Sequence, residues 1–216
     1  MNSRDFKRLF TVAFAALVAV YVFSFHVDSP SWFKPLAKTM PVLMLSMATW
    51  RAGRTERTLP LLPLALLLSS MGDLAGDLHA FLWQIGLFAA AHIAYIAVFI
   101  RRCSPTKAAL TAASALISAA AVYGAYIVPR ISVTAESVFI IVYITIITAM
   151  AVSAVLQGSR YRWWYAAAAI VFIFSDSCIA WNRYVARIPH ATVWIMSTYL
   201  AAQYSIARLY LAEKLR

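Results

Sequence analysis

Residues 61–78 read LLPLALLLSSMGDLAGDL, and residues 166–181 read AAAAIVFIFSDSCIAW. Both stretches are apolar, as membrane helices are, yet each carries an aspartate in its interior, Asp73 in the first, which also has Asp77 near its end, and Asp176 in the second. A carboxylate inside a bilayer costs roughly 3 kcal/mol or more unless it is paired, protonated or hydrated, so such an acid is a candidate functional residue. The two aspartates therefore predict proton chemistry within a membrane protein.

The composition predicts the fold class. Hydrophobic residues make up 63% of the 216 residues and charged residues 12%, whereas a soluble domain is about half apolar and about a quarter charged. With roughly 20 residues per span, we predict an all-α, polytopic membrane helix bundle of about eight transmembrane helices. Residues 1–216 would form a single integral membrane domain. The fifth span is the weakest, because it is Ala-rich and interrupted by polar residues. The spans are expected near residues 8–25, 35–50, 59–77, 82–100, 106–126, 137–156, 163–182 and 191–211.

The basic residues predict the orientation. With the N-terminus in the cytoplasm, 14 of the 19 Lys and Arg residues fall on the inner side, as the positive-inside rule requires. We therefore predict that both termini are cytoplasmic. The predicted spans leave almost no tails, which favours a bacterial inner membrane, and a eukaryotic endomembrane stays open as the alternative. The net charge of +11 does not indicate nucleic-acid binding, because the basic residues are spread over the loops instead of forming a cluster.

The sequence predicts no cofactor and no metal. Cys103 and Cys178 lie near opposite ends of different predicted spans, which does not indicate a disulfide. A zinc hydrolase needs three protein ligands around one cavity, and only His92 lies well inside a span. A metal at the outer edge is left as an alternative, since the other histidines fall there: His26, His79 and His190.

Polar groups of several predicted spans fall in the outer half to the middle of the bundle. In the predicted orientation, Asp73 lies roughly 6 Å and Asp176 roughly 9 Å below the outer ends of their helices. Further polar residues fall near the middle of two other spans: His92, Tyr95, Tyr199 and Gln203. This distribution predicts a buried polar cavity that opens toward the outer side.

Structural roles compete with functional ones for these residues. Asp73 could form an ion pair between helices, with candidate partners Lys34, Lys38 and Arg183, and Asp176 could form a salt bridge to another helix. Asp77 shares a helix face with Asp73 and could be only a solvent contact at a helix end. The side chains of His92, Tyr199 and Gln203 could simply form hydrogen bonds that hold helices together.

Five short motifs occur in order from the second predicted span to the end of the chain. They are Phe33-Lys34-Pro35-Leu36; Gly72-Asp73 followed by Asp77; Gly86-x-Phe88 leading to His92-x-x-Tyr95; Phe172-x-Phe174-Ser175-Asp176-Ser177 leading to Ala180-x-Asn182-Arg183-Tyr184; and Tyr199-x-x-Ala202-Gln203. In these motifs the chain resembles the YhhN-like lysoplasmalogenase family of integral membrane proteins. It departs from the family at Ala166 to Ala169, where a glycine is frequent, and this concerns helix packing.

The resemblance implies hydrolysis of the vinyl ether bond of lysoplasmalogens to a fatty aldehyde and a glycerophospho-alcohol. Enol ethers hydrolyse by protonation at carbon, which gives an oxocarbenium ion that water traps. Glycosidases solve a related problem with two carboxylates in different roles. We predict that Asp73 and Asp176 are the catalytic pair. Burial alone favours Asp176 as the acid, and the assignment could be reversed.

The predicted substrate is a lysophospholipid held within the membrane lipid. Lys34 and Arg183 would bind its phosphate, and apolar walls between helices would take the alkenyl chain. The residues predicted to bind substrate are Lys34, Asp77, His92, Tyr95, Ser175, Asn182, Arg183, Tyr199 and Gln203.

Two other functions stay open at this stage. A proton-coupled transporter or permease could use the intramembrane Asp and His residues. It predicts polar groups across both halves of the bilayer, whereas here they crowd the outer half. A non-catalytic lipid-binding protein is the third interpretation, in which the two acids only pair with basic residues.

Overall fold

The computed structural model describes residues 3–27, 30–53 and 60–214, and within them it is helical with no strand. Residues 28–29 and 54–58, which lie between predicted spans, and residue 59, which was expected to begin the third span, lie outside the described residues. The all-α prediction is confirmed. The eight helices found in the described residues are α1 (Ser3–Phe23), α2 (Phe33–Gly53), α3 (Leu61–Asp77), α4 (Phe81–Ile100), α5 (Lys107–Ile127), α6 (Thr134–Leu156), α7 (Arg162–Tyr184) and α8 (Ala191–Lys214).

Local sequence signals explain several helix boundaries. The hydroxyl of Thr106 accepts a hydrogen bond from the backbone N–H of Ala109 at 3.2 Å and so caps the first turn of α5, as threonine often does. Two histidines adopt left-handed backbone conformations, His79 between α3 and α4 (φ 58°) and His190 just before α8 (φ 54°). Non-glycine residues rarely adopt this conformation, so both positions mark sharp chain reversals.

Four segments of the described residues are long and apolar enough to cross a membrane: Phe81–Ile100, Lys107–Arg130, Thr134–Leu156 and Arg162–Tyr184. The second of these contains α5, which was expected to be the weakest span. The predicted number of about eight spans is only partly supported. One reason is length, because α3 has 17 residues and a span needs about 20.

The first compact unit comprises the residues up to Ala91 and those from Tyr210 onward. Within it, α2 packs against α1 and α3. Two buried serines join α2 and α3, because Ser46 donates to the carbonyl of Pro63 at 2.7 Å and Ser70 donates to the carbonyl of Thr39 at 3.2 Å. Such hydrogen bonds are a common way to hold helices together where apolar packing is weakly directional.

The second compact unit comprises residues His92–Leu209. Within it, α6 packs between α5 and α7, and α5 also contacts α7. Short connections join these helices, so consecutive helices run antiparallel. At one end, the chain before α5 pairs with the chain after α6, where Ser104 N–H donates to the carbonyl of Leu156 at 2.9 Å. The guanidinium of Arg162 donates to the carbonyls of Ser104 and Gln157 and reinforces this junction.

Candidate active site

A chain of three polar side chains crosses the second unit. The hydroxyl of Tyr143, on α6, donates a hydrogen bond to Oδ2 of Asp176 on α7. The same hydroxyl lies 3.0 Å from Nε2 of His92 on α4. Nε2 of His92 and Oδ2 of Asp176 are 3.6 Å apart, which is too long for a direct hydrogen bond. Tyr143 therefore bridges the imidazole and the carboxylate, which were both predicted site residues.

The imidazole of His92 is enclosed by aromatic rings. Its centroid lies 4.8 Å from that of Phe172, at 75°, and 5.6 Å from that of Tyr143. The ring of Phe172 in turn makes an edge contact with Tyr199 at 5.4 Å. His92 is fully buried, while the side chain of Asp176 is 10% exposed. The carboxylate is thus the end of the chain that a ligand can reach.

A second buried pair lies on α4 and α8. The hydroxyl of Tyr95 donates to Oε1 of Gln203 at 2.5 Å, and both side chains are fully buried. The structure thus brings together two residues predicted to bind substrate. Nε2 of Gln203 and Nδ1 of His92 make no hydrogen bond to any described residue. Buried polar atoms are nearly always hydrogen-bonded, so these two atoms retain capacity for a water molecule or a substrate group.

An apolar groove reaches Asp176 between α5, α6 and α7. Its volume is about 290 Å³, near the lower end of the roughly 300 to 1,000 Å³ typical of ligand sites. Asp176 and Tyr143 contribute to its wall together with Tyr123 and Ser177, and the other lining residues are mainly apolar. Tyr143 bonds to Oδ2 of Asp176, and the 10% of the side chain that is exposed allows a ligand in the groove to reach the carboxyl group.

Asp73 occupies an interior position of the first unit. It lies on α3 and is only 3% exposed, and its neighbours Ser69, Ser70 and Gly72 are buried as well. An ideal Cβ at Gly72 would stand 3.1 Å from the ring of Phe88, so the glycine allows that ring to approach α3. This burial agrees with the prediction that Asp73 lies inside the helix bundle. The catalytic role of Asp73 stays a prediction.

Lys38 pairs with Asp77, not with Asp73 as one alternative allowed. Nζ of Lys38 lies 2.7 Å from Oδ1 of Asp77, with the two side chains 14% and 27% exposed. The pair joins α2 to the end of α3 and gives Asp77 a structural role. Lys34, one turn earlier on α2, is exposed.

Three other predicted substrate-binding residues have structural partners in the second unit. Ser175 donates to the carbonyl of Ile195 at 2.9 Å and so joins α7 to α8. The side chain of Asn182 accepts from the backbone N–H of Ile188 at 2.8 Å and shapes the loop after α7. Arg183 pairs with Glu136 at 3.0 Å. These contacts account for the three residues without a substrate.

Sequence reasoning missed Tyr143. A tyrosine in an apolar helix is ordinarily interpreted as an interfacial anchor. Tyr143, however, lies nine residues into the 23-residue helix α6, far from either end. A hydroxyl at that depth needs a partner, and this was the signal available. Its two partners lie 33 and 51 residues away along the chain, so no local pattern identifies them.

No cluster of three or more His, Cys, Asp or Glu side chains that could hold a metal occurs among the residues that the structure describes. Both cysteines are free thiols. The donor groups gathered around Asp176 are a phenol and an imidazole, and they suit proton transfer.

Apolar helices with a carboxylate, a phenol and an imidazole in their interior define an integral membrane protein with a candidate acid–base site. The sequence model of the YhhN family matches residues 33–210. The chain belongs to the YhhN family.

Several curated proteins are similar to this chain. Lysoplasmalogenase TMEM86B of Homo sapiens is 32% identical over 178 residues, which are 82% of this chain and 74% of that protein. Lysoplasmalogenase TMEM86A of Bos taurus is 28% identical over 209 residues, 90% of this chain and 85% of its own. A lysoplasmalogenase of Mycobacterium tuberculosis is 30% identical over 173 residues, 76% of this chain and 65% of its own. No solved structure matches the chain significantly.

Proposed function

We propose that this chain is a lysoplasmalogenase, a membrane hydrolase that cleaves the vinyl ether bond of a lysophospholipid. Relatives that carry this name match about four fifths of the chain. The structural observation that carries the proposal is the carboxylate of Asp176, which stands in the wall of an apolar groove and is hydrogen-bonded to Tyr143. The lysoplasmalogen substrate matches this arrangement, because its hydrocarbon chain is apolar and its reactive ether lies at one end.

The reaction adds one water molecule across the bond. A proton is transferred to the β-carbon of the enol ether, and the positive charge is then shared between the α-carbon and the ether oxygen. Water attacks the α-carbon and loses a proton to a base. The resulting hemiacetal collapses to the aldehyde and the free glycerol hydroxyl. The enzyme therefore needs an acid beside the β-carbon and a base or anion beside the α-carbon.

We assign the acid to Asp176. When Tyr143 donates to the ionised carboxylate, His92 donates from Nε2 to the phenol oxygen. When Asp176 is protonated, the hydrogen bonds can run in the opposite direction, from Asp176 to Tyr143 and on to Nε2 of His92. A protonated His92 can thus return a proton to Asp176 through Tyr143. These hydrogen bonds give Asp176 a route for reprotonation on the side away from the lipid.

Asp73 is the proposed second carboxylate, which stabilises the cation or activates the water. Its burial in an apolar helix supports this role, because carboxylates in such positions are usually functional.

For the substrate phosphate, Lys34 is the stronger of the two predicted ligands, because it is exposed whereas Arg183 already pairs with Glu136.

The proposal includes the membrane topology of the protein. We propose a single membrane domain of about eight spans with both termini in the cytoplasm, in a bacterial inner membrane. The transporter alternative is not favoured, because the similar curated proteins are named as hydrolases.

Release of a fatty aldehyde by the purified protein in detergent tests the proposal. Choline and ethanolamine lysoplasmalogens would be supplied, with the matching 1-O-alkyl lysophospholipid, which lacks the double bond, as the control substrate. We expect aldehyde from at least one lysoplasmalogen and none from the alkyl ether. A folded protein that yields no aldehyde from either headgroup would refute the assignment.

A further inference from the structure

The groove beside Asp176 has a polar part and an apolar part. Tyr123 and Ser177 lie near one end, where the hydroxyl of Tyr123 donates to the carbonyl of Ser177 at 2.7 Å. The other end is lined by Leu116, Ile147 and Ile173. Asp176 lies between the two ends, since it is one turn of α7 beyond Ile173. Ile140 and Ala180 also line the end that holds Ser177, so this end is mixed, whereas the end at Leu116, Ile147 and Ile173 is apolar apart from Thr148.

The single polar residue in the apolar part is satisfied by its own helix. The hydroxyl of Thr148 donates to the carbonyl of Ile144 at 2.6 Å, so its hydrogen-bond donor is already used within α6. From Tyr143 to Thr148 the apolar part extends about 7.5 Å along α6.

Small side chains on α5 create the space. Ala119 and Ala120 line the groove, and Ala119 is exposed, so the groove opens at the protein surface. A second cavity of about 650 Å³ lies on the adjacent face of α5 and α6, where it is lined by Ala121 but not by Ala119 or Asp176. Ala119 and Ala121 are therefore a matched pair, because Ala119 lines only the groove and Ala121 lines only the second cavity.

We propose that the groove is the binding site for the hydrocarbon chain of the substrate, with the ether at Asp176 and the chain running toward Leu116, Ile147 and Ile173. This inference rests on the proposed function for the identity of the reactive end. An ordinary bilayer chain has no group that can react with the carboxyl group of Asp176. A single-chain lipid with a polarised double bond next to its headgroup matches both parts of the groove.

Photolabelling tests the location without requiring turnover. The probe is a 1-O-hexadecyl lysophosphoethanolamine with a diazirine in the part of its chain nearest the ether, and mass spectrometry identifies the labelled residues. We expect labelling of Leu116, Ile147 or Ile173, and competition by excess lysoplasmalogen but not by a diacyl phospholipid. Labelling confined to Ile117 or Val152 of the second cavity, or labelling that both lipids suppress equally, would overturn the proposal.

A matched pair of variants tests the function of the groove. Ala119→Leu narrows it, and we expect groove labelling to be lost and aldehyde release from a hexadecenyl substrate to fall roughly tenfold. Ala121→Leu adds the same bulk to the second cavity and should leave both readouts unchanged. Equal effects of the two variants would overturn the proposal. Competed labelling of the groove in a protein that releases no aldehyde would refute the proposed reaction while the binding site stands.

Discussion

Replacement of Tyr143 by phenylalanine is the sharpest single perturbation of the proposed site. It removes one oxygen atom and keeps the ring, so the contact with His92 at a centroid distance of 5.6 Å is preserved. The lost hydroxyl is the bridge between His92 and Asp176. The two end groups, 3.6 Å apart, cannot replace it with a direct hydrogen bond in their present positions.

The size of the effect follows from the hydrogen bond to the carboxylate. A hydrogen bond to a charged group contributes about 1.5 to 3 kcal/mol. Each 1.36 kcal/mol of lost transition-state stabilisation lowers a rate about tenfold. If the bridge acts in the transition state, kcat of Tyr143→Phe should fall roughly ten- to a hundredfold. KM should change little, because the phenol is proposed to position Asp176 and not to hold the lipid.

The assay is steady-state aldehyde release over a range of lysoplasmalogen concentrations. The control is Tyr126→Phe on α5, which removes the same atom from a ring that keeps its stacking on Trp181 at 5.4 Å and 9°. We expect wild-type kcat for the control. A Tyr143→Phe enzyme with wild-type kcat, or an equal loss in both variants, would refute the role of Tyr143.

Two further predictions concern stability, measured as the unfolding midpoint in detergent. Gly72→Ala should destabilise the protein by about 1 to 3 kcal/mol, because its Cβ would stand 3.1 Å from the ring of Phe88; an unchanged midpoint would show that the ring moves freely. Glu136→Gln should cost less than about 1 kcal/mol, because Arg183, its ion-pair partner, is 42% exposed and surface pairs contribute little; a larger loss would contradict this weak pairing.

The helices were predictable because a long run of apolar residues is visible in the local sequence. All eight predicted segments contain a helix, and α5 forms even though its alanines and serines made it the weakest candidate. Alanine favours a helix regardless of its hydropathy. The number of spans was less predictable, since α2 and α8 mix polar and apolar residues and α3 has only 17 residues.

The site was only partly predictable for a physical reason. An aspartate or a histidine in an apolar run is conspicuous by its cost, so Asp73, Asp176 and His92 stand out in the sequence. Tyr143 carries no such cost, because its ring is apolar and only the hydroxyl needs a partner. Ser175 and Asn182 stood out as polar residues, yet they serve helix and loop contacts. Sequence shows which groups are unusual, and only the packed helices show which groups meet.

Aldehyde release in D₂O tests the central claim most directly, with wild-type protein beside a folded Asp176→Asn variant. Protonation at carbon predicts one deuterium on the carbon next to the aldehyde, compared with authentic aldehyde kept in the same buffer. It also predicts that Asp176→Asn lowers the rate by roughly a hundredfold or more, since a general acid contributes about 10² to 10⁴. Aldehyde without deuterium, or a variant that turns over as fast as wild type, would contradict the account.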